Sequence, residues 1–403
     1  MPDFLSFISE ILWGSVMIYL LLGCGLWFTW RTGYIQFRYI RQFSKSLKTS
    51  LKPGEGGLTS FQVLCISLAA RVGSGNLAGV ALAITVGGPG AVFWLWISAL
   101  IGMATAYTET SLGQKYRYRR PDGAWQCGPM VSMERGLGCR SMGLIYALFA
   151  VLASLGMGCM VQANAVSETL CYEAGMKQEI AALLVTALTA AVVWGGIRRI
   201  SRMTSWFVPL SAGIYFFFSV WVLVVCRRSI PVVLGQILKE AWTPGAAGGG
   251  IAGFLFSRSV RFGLARGVFS NEAGLGTLAV LHGAAEDTTP EEQGMWAMFE
   301  VFVDTIVICT LTALVILCAG MESGLDGAAL YAGAYDRGIA LRQNYPYSLY
   351  AMVDTSGYTC GAVNTATRAV RCPFAFSHDK HPITFYFARY RWREKRIRLH
   401  CAF

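Results

Sequence analysis

The sequence predicts an all-α polytopic membrane protein, and three observations carry that expectation. Of 403 residues, 54% are hydrophobic and only 14% charged, against about 25% charged in an average soluble domain. Uncharged runs recur at 11–30, 72–108 and 141–167, and about 20 apolar residues suffice to cross a hydrocarbon core. The loops between such runs alternate in basic content, which is the pattern that sets membrane orientation.

Met1-Pro2-Asp3 lacks the basic start of a secretory signal, so the first run, following Glu10, is expected to stay in the membrane. The next loop holds Arg31, Arg38, Arg41, Lys45, Lys48 and Lys52. The positive-inside rule puts it in the cytoplasm and the N-terminus outside. Residues 61–86 then return outward, Gly87-Gly88-Pro89-Gly90 turns, and 91–114 comes back in. A second basic inner loop carries Lys115, Arg117, Arg119, Arg120, Arg135 and Arg140, and a third carries Arg198, Arg199 and Arg202. The outer connection between them is acidic, with Glu168, Glu173 and Glu179. After a span over 205–226, residues 230–242 are too short and mixed to cross and read as an outer interfacial segment. The loop of His282, Glu286, Asp287, Glu291 and Glu292 brings no basic residue, but acids count little in the rule. A last clear span covers 294–321 and includes Glu300 and Asp304. About eight spans in a cell (inner) membrane, with lipid around them, is the expected arrangement.

Other classes fall away on composition. Twelve Cys are scattered without C-x-x-C pairing, so they read as packing residues rather than a disulfide framework or metal site. No H-E-x-x-H or G-x-S-x-G occurs, and His282 reads as an ordinary helix end, so no enzyme is suggested. The net charge of +11 does not call for nucleic acid, because residues 336–403 hold eleven Lys or Arg against four Asp or Glu and so carry +7 of it.

Two of the apolar segments are interrupted. One breaks at Gly73-Ser74-Gly75-Asn76, the other at Ser270-Asn271-Glu272-Ala273-Gly274-Leu275-Gly276. Backbone that leaves the helix inside a bilayer survives only when buried in protein or lining a wet cavity. The first break also fits close helix packing by small residues. It fits G-x-G-x-x-A as well, through Gly73, Gly75 and Ala78; a dinucleotide site needs an acid about 20 residues on, and none occurs before Glu109. Two interrupted helices in corresponding places of two halves point to the midplane ligand site of an inverted-repeat transporter. Glu300 lies near the inner end of its span, where it can reach water, and Asp304 is expected to tie helices together rather than bind the ion. Glu272 either pairs with Arg266 or faces an inner cavity.

Val72-Gly73-Ser74-Gly75-Asn76-Leu77-Ala78-Gly79, Gly87-Gly88-Pro89-Gly90-Ala91-Val92-Phe93-Trp94 and Arg266-Gly267-Val268-Phe269-Ser270-Asn271-Glu272-Ala273-Gly274 closely resemble the alanine or glycine:cation symporter family. The likeness extends through Cys127-Gly128-Pro129-Met130, Gln162-Ala163-Asn164 and Asp304-Thr305, covering residues 1 to about 335. It implies sodium-coupled symport of small neutral amino acids, alanine or glycine, with Na⁺ as the coupling ion and no cofactor. It also implies a leucine-transporter-like fold of two five-helix inverted repeats preceded by one extra helix. By resemblance, the substrate carboxylate belongs on the backbone of Ser74, Gly75 and Asn76 beside Gly73, assisted by the Gln162 amide. The ammonium belongs on carbonyls near Phe269 and Ser270, next to Asn271, and Na⁺ on carbonyls around Ala69 and Val72. Helix-end N–H groups and carbonyls suit those charges physically.

The family carries three further spans, the first of which completes the cation and substrate sites. Here the longest uncharged run after Asp336 is 355–367, too short to cross, and Arg391-Trp392-Arg393-Glu394-Lys395-Arg396 is incompatible with lipid. The expectation is a transporter domain over 1–335, truncated in its second repeat, and a basic non-family tail over 336–403 that is frameshift-derived, from near Tyr335, or disordered. Coupled transport by such a chain is in doubt, the alternatives being an inactive truncated membrane protein or an ion-only carrier. Oligomeric state is left open.

Overall fold

The computed structural model describes residues 15–38, 59–71, 74–121, 125–154, 156, 160–194, 196–242, 258–286 and 288–320, and the regular structure there is almost all helical. Helix α1 (Ser15–Arg31) is followed by α2 (Ser60–Arg71) and α3 (Ser74–Gly87), with Val72 and Gly73 between them outside the described residues. The long helix α4 (Ala91–Lys115) leads into a small antiparallel hairpin of β1 (Tyr118–Arg119) and β2 (Trp125–Gln126). Then come α5 (Pro129–Gly136), α6 (Arg140–Ala153), α7 (Val161–Ala174), α8 (Gln178–Val193), α9 (Gly196–Val225) and α10 (Ile230–Ala241). Helix α11 (Arg258–Asn271) is separated by a turn from the short α12 (Thr277–His282). The last helix runs unbroken from Pro290 to Ala319 as α13 (Pro290–Val301), a π-helical stretch at Phe302–Ile308, and α14 (Cys309–Ala319).

Among the described residues, α4 and the helix Pro290–Ala319 are each long and apolar enough to span a bilayer. At about 1.5 Å per residue, the 25 residues of α4 exceed the hydrocarbon core of about 30 Å. The pair Pro209–Val225 and Ile230–Ala241 passes the same test together but is bent by 99°. With the composition, these helices make the chain a membrane protein. The final span starts sharply: Thr289 Oγ1 accepts from the Glu292 N–H, the Glu292 carboxylate accepts from the Thr289 N–H, and Pro290 opens the helix. That reciprocal cap satisfies two N–H groups a helix start leaves unpaired.

Helix α4 is the post around which the bundle is built, packing against α1, α11, α12 and α13. Its contact with α11 is backbone-close because Gly263 and Gly267 lie one turn apart on the facing side. A Cβ at Gly267 would come within 2.5 Å of Ser98 Oγ, and one at Gly263 would strike the Ala91 carbonyl. This small-x-x-x-small spacing is how membrane helices approach when no hydrophobic force separates them from lipid. On the other side of α3, Leu77, Val80, Ala81 and Ile84 pack with Val92, Leu95, Tyr215, Ile237 and Ile316 in the main apolar core.

The β-hairpin docks on the linker after α12. Arg117 donates to the carbonyls of Gly283 and Ala285 and lies over the Trp125 ring at 4.1 Å from its centroid. Glu286 Oε1 accepts from Trp125 Nε1 at 3.1 Å and from Arg119 Nη2 at 3.0 Å. These two donors hold the Glu286 carboxyl below the usual carboxylate range.

Candidate functional site

The first interruption expected from the sequence falls between α2, described to Arg71, and α3, described from Ser74. Ser74, Gly75 and Asn76 are the first described residues of α3. Gly73 and Val72 fall outside the described residues. Ala69 lies in the last described turn of α2. Gln162 lies in the first turn of α7, with its side chain outside the described residues.

The second interruption is fully described. Helix α11 ends at Asn271, and the backbone turns through Glu272, Gly274 and Gly276 at φ +50, +94 and +78 before α12 starts. Glycine takes such angles without strain. Glu272 is held there by its N–H on the Val268 carbonyl at 3.0 Å and by Thr277 Oγ1 donating to its carboxylate at 2.9 Å. Its side chain is buried rather than facing open solvent.

The N–H groups that would close the helix on the carbonyls of Phe269 and Ser270 are those of Ala273 and Gly274. Both are used elsewhere: Ala273 N–H donates to Asn271 Oδ1 at 3.0 Å and Gly274 N–H to Glu109 Oε2 at 3.0 Å. Glu109, on α4, also accepts from Gly276 N–H at 3.1 Å, while Tyr146 on α6 donates to the Leu275 carbonyl at 2.7 Å. The turn is therefore held by side chains of two neighbouring helices. Asn271 Nδ2, buried, and Glu109 Oε1 have no partner among the described residues.

The start of α3 as described and the end of α11 meet at a buried polar cluster. Asn76 Nδ2 on α3 donates to Asp304 Oδ1 at 2.7 Å. Ser270 Oγ on α11 lies 2.7 Å from Asn76 Oδ1 and 2.8 Å from Asp304 Oδ2. Thr305 Oγ1 adds a fourth member at 3.1 Å from Asp304 Oδ2. All four residues are buried. Asp304 thus ties three elements, and it does so from the π-helical stretch, where the Cys309 N–H bonds five residues back to the Asp304 carbonyl. Such π turns re-aim side chains and recur at functional sites.

Beside this cluster lies a second buried chain. Arg71, the last residue of α2, meets Glu300 on α13 with Nε at 3.1 Å from Oε1 and donates from Nη1 to the Asn271 carbonyl at 2.7 Å. Ser67 Oγ donates to Glu300 Oε1 at 2.6 Å, and His282 Nε2 lies 2.9 Å from Oε2. His282 Nδ1 lies 2.8 Å from Gln293 Oε1, whose amide nitrogen reaches Ser60 Oγ at 2.5 Å.

Glu300 does not reach water as its place near the helix end suggests: it is fully buried, because α2 and α12 close over that face of α13. Nor is His282 an ordinary helix end, since it bridges Gln293 and Glu300 without solvent contact. Sequence reasoning also passed over Arg71 and Glu109. The available signal was that each is a lone charge beside an interruption or inside an apolar span, where charge is expensive and functional by default.

Chemically, the arrangement places a buried polar seam of Asn76, Ser270, Asp304 and Thr305 between α3, the end of α11 and the last span. The family model described as the sodium:alanine symporter family matches residues 1–354. The chain belongs to the sodium:alanine symporter family. The match runs past residue 335, the boundary drawn from the motifs. An Escherichia coli (strain K12) protein named uncharacterized transporter YaaJ is 49% identical over 322 residues, covering 79% of this chain and 68% of that protein. The sodium/alanine symporter AgcS of Methanococcus maripaludis is 37% identical over 348 residues, 83% of this chain and 76% of its own. The amino-acid carrier protein AlsT of Bacillus subtilis is 37% identical over 337 residues, 82% and 70% of the two chains. A sodium:alanine symporter is a transporter and not an enzyme, and its coupling ion is Na⁺.

Proposed function

We propose that this chain carries alanine or glycine together with Na⁺ through the gap between α2/α3 and α11/α12. The observation that carries the reading is the seam itself: Asn76, Ser270 and Asp304 join the two interrupted helices, each within 2.8 Å of the next. The substrate carboxylate goes to the first N–H groups of α3, at Ser74, Gly75 and Asn76 beside Gly73, with the Gln162 amide assisting. The ammonium goes to carbonyls near Phe269 and Ser270, a placement supported by the Gly274 N–H, the helical donor for the Ser270 carbonyl, being turned to Glu109. Asn271 Nδ2, buried and unspent, remains available to the same ligand. Na⁺ goes to carbonyls around Ala69 and Val72 at the C-terminal end of α2, the negative end of its dipole.

The proposed frame is the leucine-transporter-like inverted repeat, with the N-terminus outside and the protein in the inner membrane. The basic loops between α1 and α2 and between α4 and α6 support that orientation. The deciding experiment is uptake of labelled alanine by vesicles containing the chain, with and without a Na⁺ gradient. Accumulation that follows Na⁺ is the expected result. Na⁺ movement without alanine leaves an ion-only carrier, and neither movement leaves an inactive membrane protein; both outcomes overturn the proposal.

A further inference from the structure

The seam that joins α3, α11 and the last span is one proton short when Asp304 is written as a carboxylate. Four contacts meet there: Asn76 Nδ2 to Asp304 Oδ1 at 2.7 Å, Ser270 Oγ to Asn76 Oδ1 at 2.7 Å, Ser270 Oγ to Asp304 Oδ2 at 2.8 Å and Thr305 Oγ1 to Asp304 Oδ2 at 3.1 Å. An ionised carboxyl only accepts, and a hydroxyl gives one proton. The amide nitrogen, Ser270 and Thr305 therefore cover three contacts of the four. Reversing the Asn76 amide, whose two ends have the same shape, moves the gap without closing it. Its nitrogen then serves Ser270 and Ser270 serves Asp304 Oδ2, while the amide oxygen is left 2.7 Å from Asp304 Oδ1 with no hydrogen between them. Full O–H···O bonds lie at about 2.7–2.8 Å. Two bare oxygens at that separation repel, and no metal ion fits between them.

One proton on Asp304 completes the set. With the amide as placed, Oδ2–H donates to Ser270 Oγ, Ser270 donates to Asn76 Oδ1 and Asn76 Nδ2 donates back to Asp304 Oδ1, which closes a ring. Ser270 Oγ keeps a lone pair for the Cys309 thiol at 3.3 Å. With the amide reversed, the proton sits on Oδ1 and the same ring runs the other way. A neutral acid also avoids burying an unpaired charge. Among the described residues no ion pair reaches Asp304, since Arg71 on α2 acts on it from beyond contact and is paired with Glu300 on α13. Cys309 on α14 is the nearest titratable neighbour. From α3 and α11 the site meets Asn76 and Ser270, which do not titrate, and Glu109 on α4 is engaged with Gly274 and Gly276.

We propose that Asp304 is a reversible proton-binding site, separate from the Na⁺ site, and that its proton closes the ring with Ser270 and Asn76. The bond formed is O–H on Asp304; the proton comes from water and returns to it, with no electron transferred. As pH rises and the proton leaves, one contact of the ring becomes two facing lone pairs, and the tie between α3 and α11 loosens. That this loosening bears on alanine passage rests on the transport reading; the proton site does not.

The test is infrared spectroscopy of the full chain in lipid nanodiscs from pH 5 to 9, read as the difference between the native protein and Asp304→Asn. The variant's amide offers the ring a donor and an acceptor and does not titrate. The native protein is expected to show the C=O stretch of a protonated carboxylic acid that the variant lacks, giving way to a carboxylate band as pH rises. Ser270→Ala removes the neighbour of Oδ2 and is expected to shift the acid band, which assigns it to Asp304 even where Asp304→Asn fails to fold. No acid band from Asp304 at any pH, a band unchanged up to pH 9, or a band that Ser270→Ala leaves unmoved overturns the proposal. Vesicle uptake of labelled alanine at pH 6 and 8 is a separate arm. Its absence at every pH removes the transport reading and leaves the infrared result standing.

Discussion

Arg71 Nη1 donates to the main-chain oxygen of Asn271 at 2.7 Å, so the last described residue of α2 closes the last residue of α11. The carbonyl at a helix C-terminus carries partial negative charge and lacks its helical donor. The guanidinium satisfies it and remains in its ion pair with Glu300. The end of α11 is thus set by side chains of other helices as well as by its own backbone.

Glu109 makes the same point for the turn after α11. Its Oε2 accepts from both Gly274 and Gly276. Glu109→Leu leaves those two N–H groups without a partner, and each orphan costs about 1–3 kcal/mol. Glu109→Gln keeps an acceptor oxygen. The expected outcome is a clear fall in the thermal unfolding midpoint for the leucine variant and a small one for the glutamine variant, measured on purified protein in detergent. Equal falls in both would mean that charge, and not the acceptor oxygen, holds the turn.

Asn76 joins α3 to the last span through Asp304 and accepts from Ser270. Asn76→Ala removes a donor from the buried Asp304 carboxyl, and a buried group left without its partner costs about 1–3 kcal/mol. The expectation is loss of stability of that size together with loss of Na⁺-driven alanine uptake. Stability loss with uptake retained would make Asn76 a structural tie alone.

Much of this was legible in the chain itself. The apolar lengths of 91–115 and 290–319 and the glycine clusters at 73–76 and 270–276 are local properties, readable residue by residue. The inner chain was not, because it pairs residues far apart: Ser67 and Glu300 are separated by 233 positions, and Arg71 and Asn271 by 200. Nothing local says which face of α13 is covered, and so nothing says that Glu300 and His282 are dry. The π-helical stretch was equally silent, since its composition does not differ from that of the helix on either side.

Outside the membrane, Glu286 anchors the β-hairpin to the linker after α12. Hydrogen bonds from Trp125 and Arg119 depress its folded-state value, so the stability it contributes is present above the ordinary glutamate value of about 4.3 and is lost as pH falls through the lower folded value. The link is therefore intact at neutral pH and opens only in acid. The Trp125 indole N–H resonance, assigned through Trp125→Phe, is expected to move with a midpoint below about 4.3. A midpoint at or above it would show that the contact does not favour the carboxylate.

The pair Arg71 and Glu300 allows a sharper test, because both partners are buried. Removing one member of a buried ion pair strands the other's charge and costs about 3–5 kcal/mol, whereas replacing both with apolar residues is often neutral. Glu300→Leu is expected to be severely destabilising, since it strands Arg71, deprives Ser67 of its acceptor and removes the partner of His282 Nε2. Arg71→Met strands Glu300 less completely, because Ser67 still donates to it and His282 Nε2 still lies 2.9 Å from its Oε2. The double variant should recover much of the loss of Glu300→Leu. Uptake by that double variant then separates two roles: if the pair only holds the fold, transport returns with stability. If Arg71 must grip the Asn271 carbonyl for the interruptions to work together, the double variant folds and still fails to carry alanine, and that is the outcome expected. Recovery of both would reduce Arg71 to a counterion.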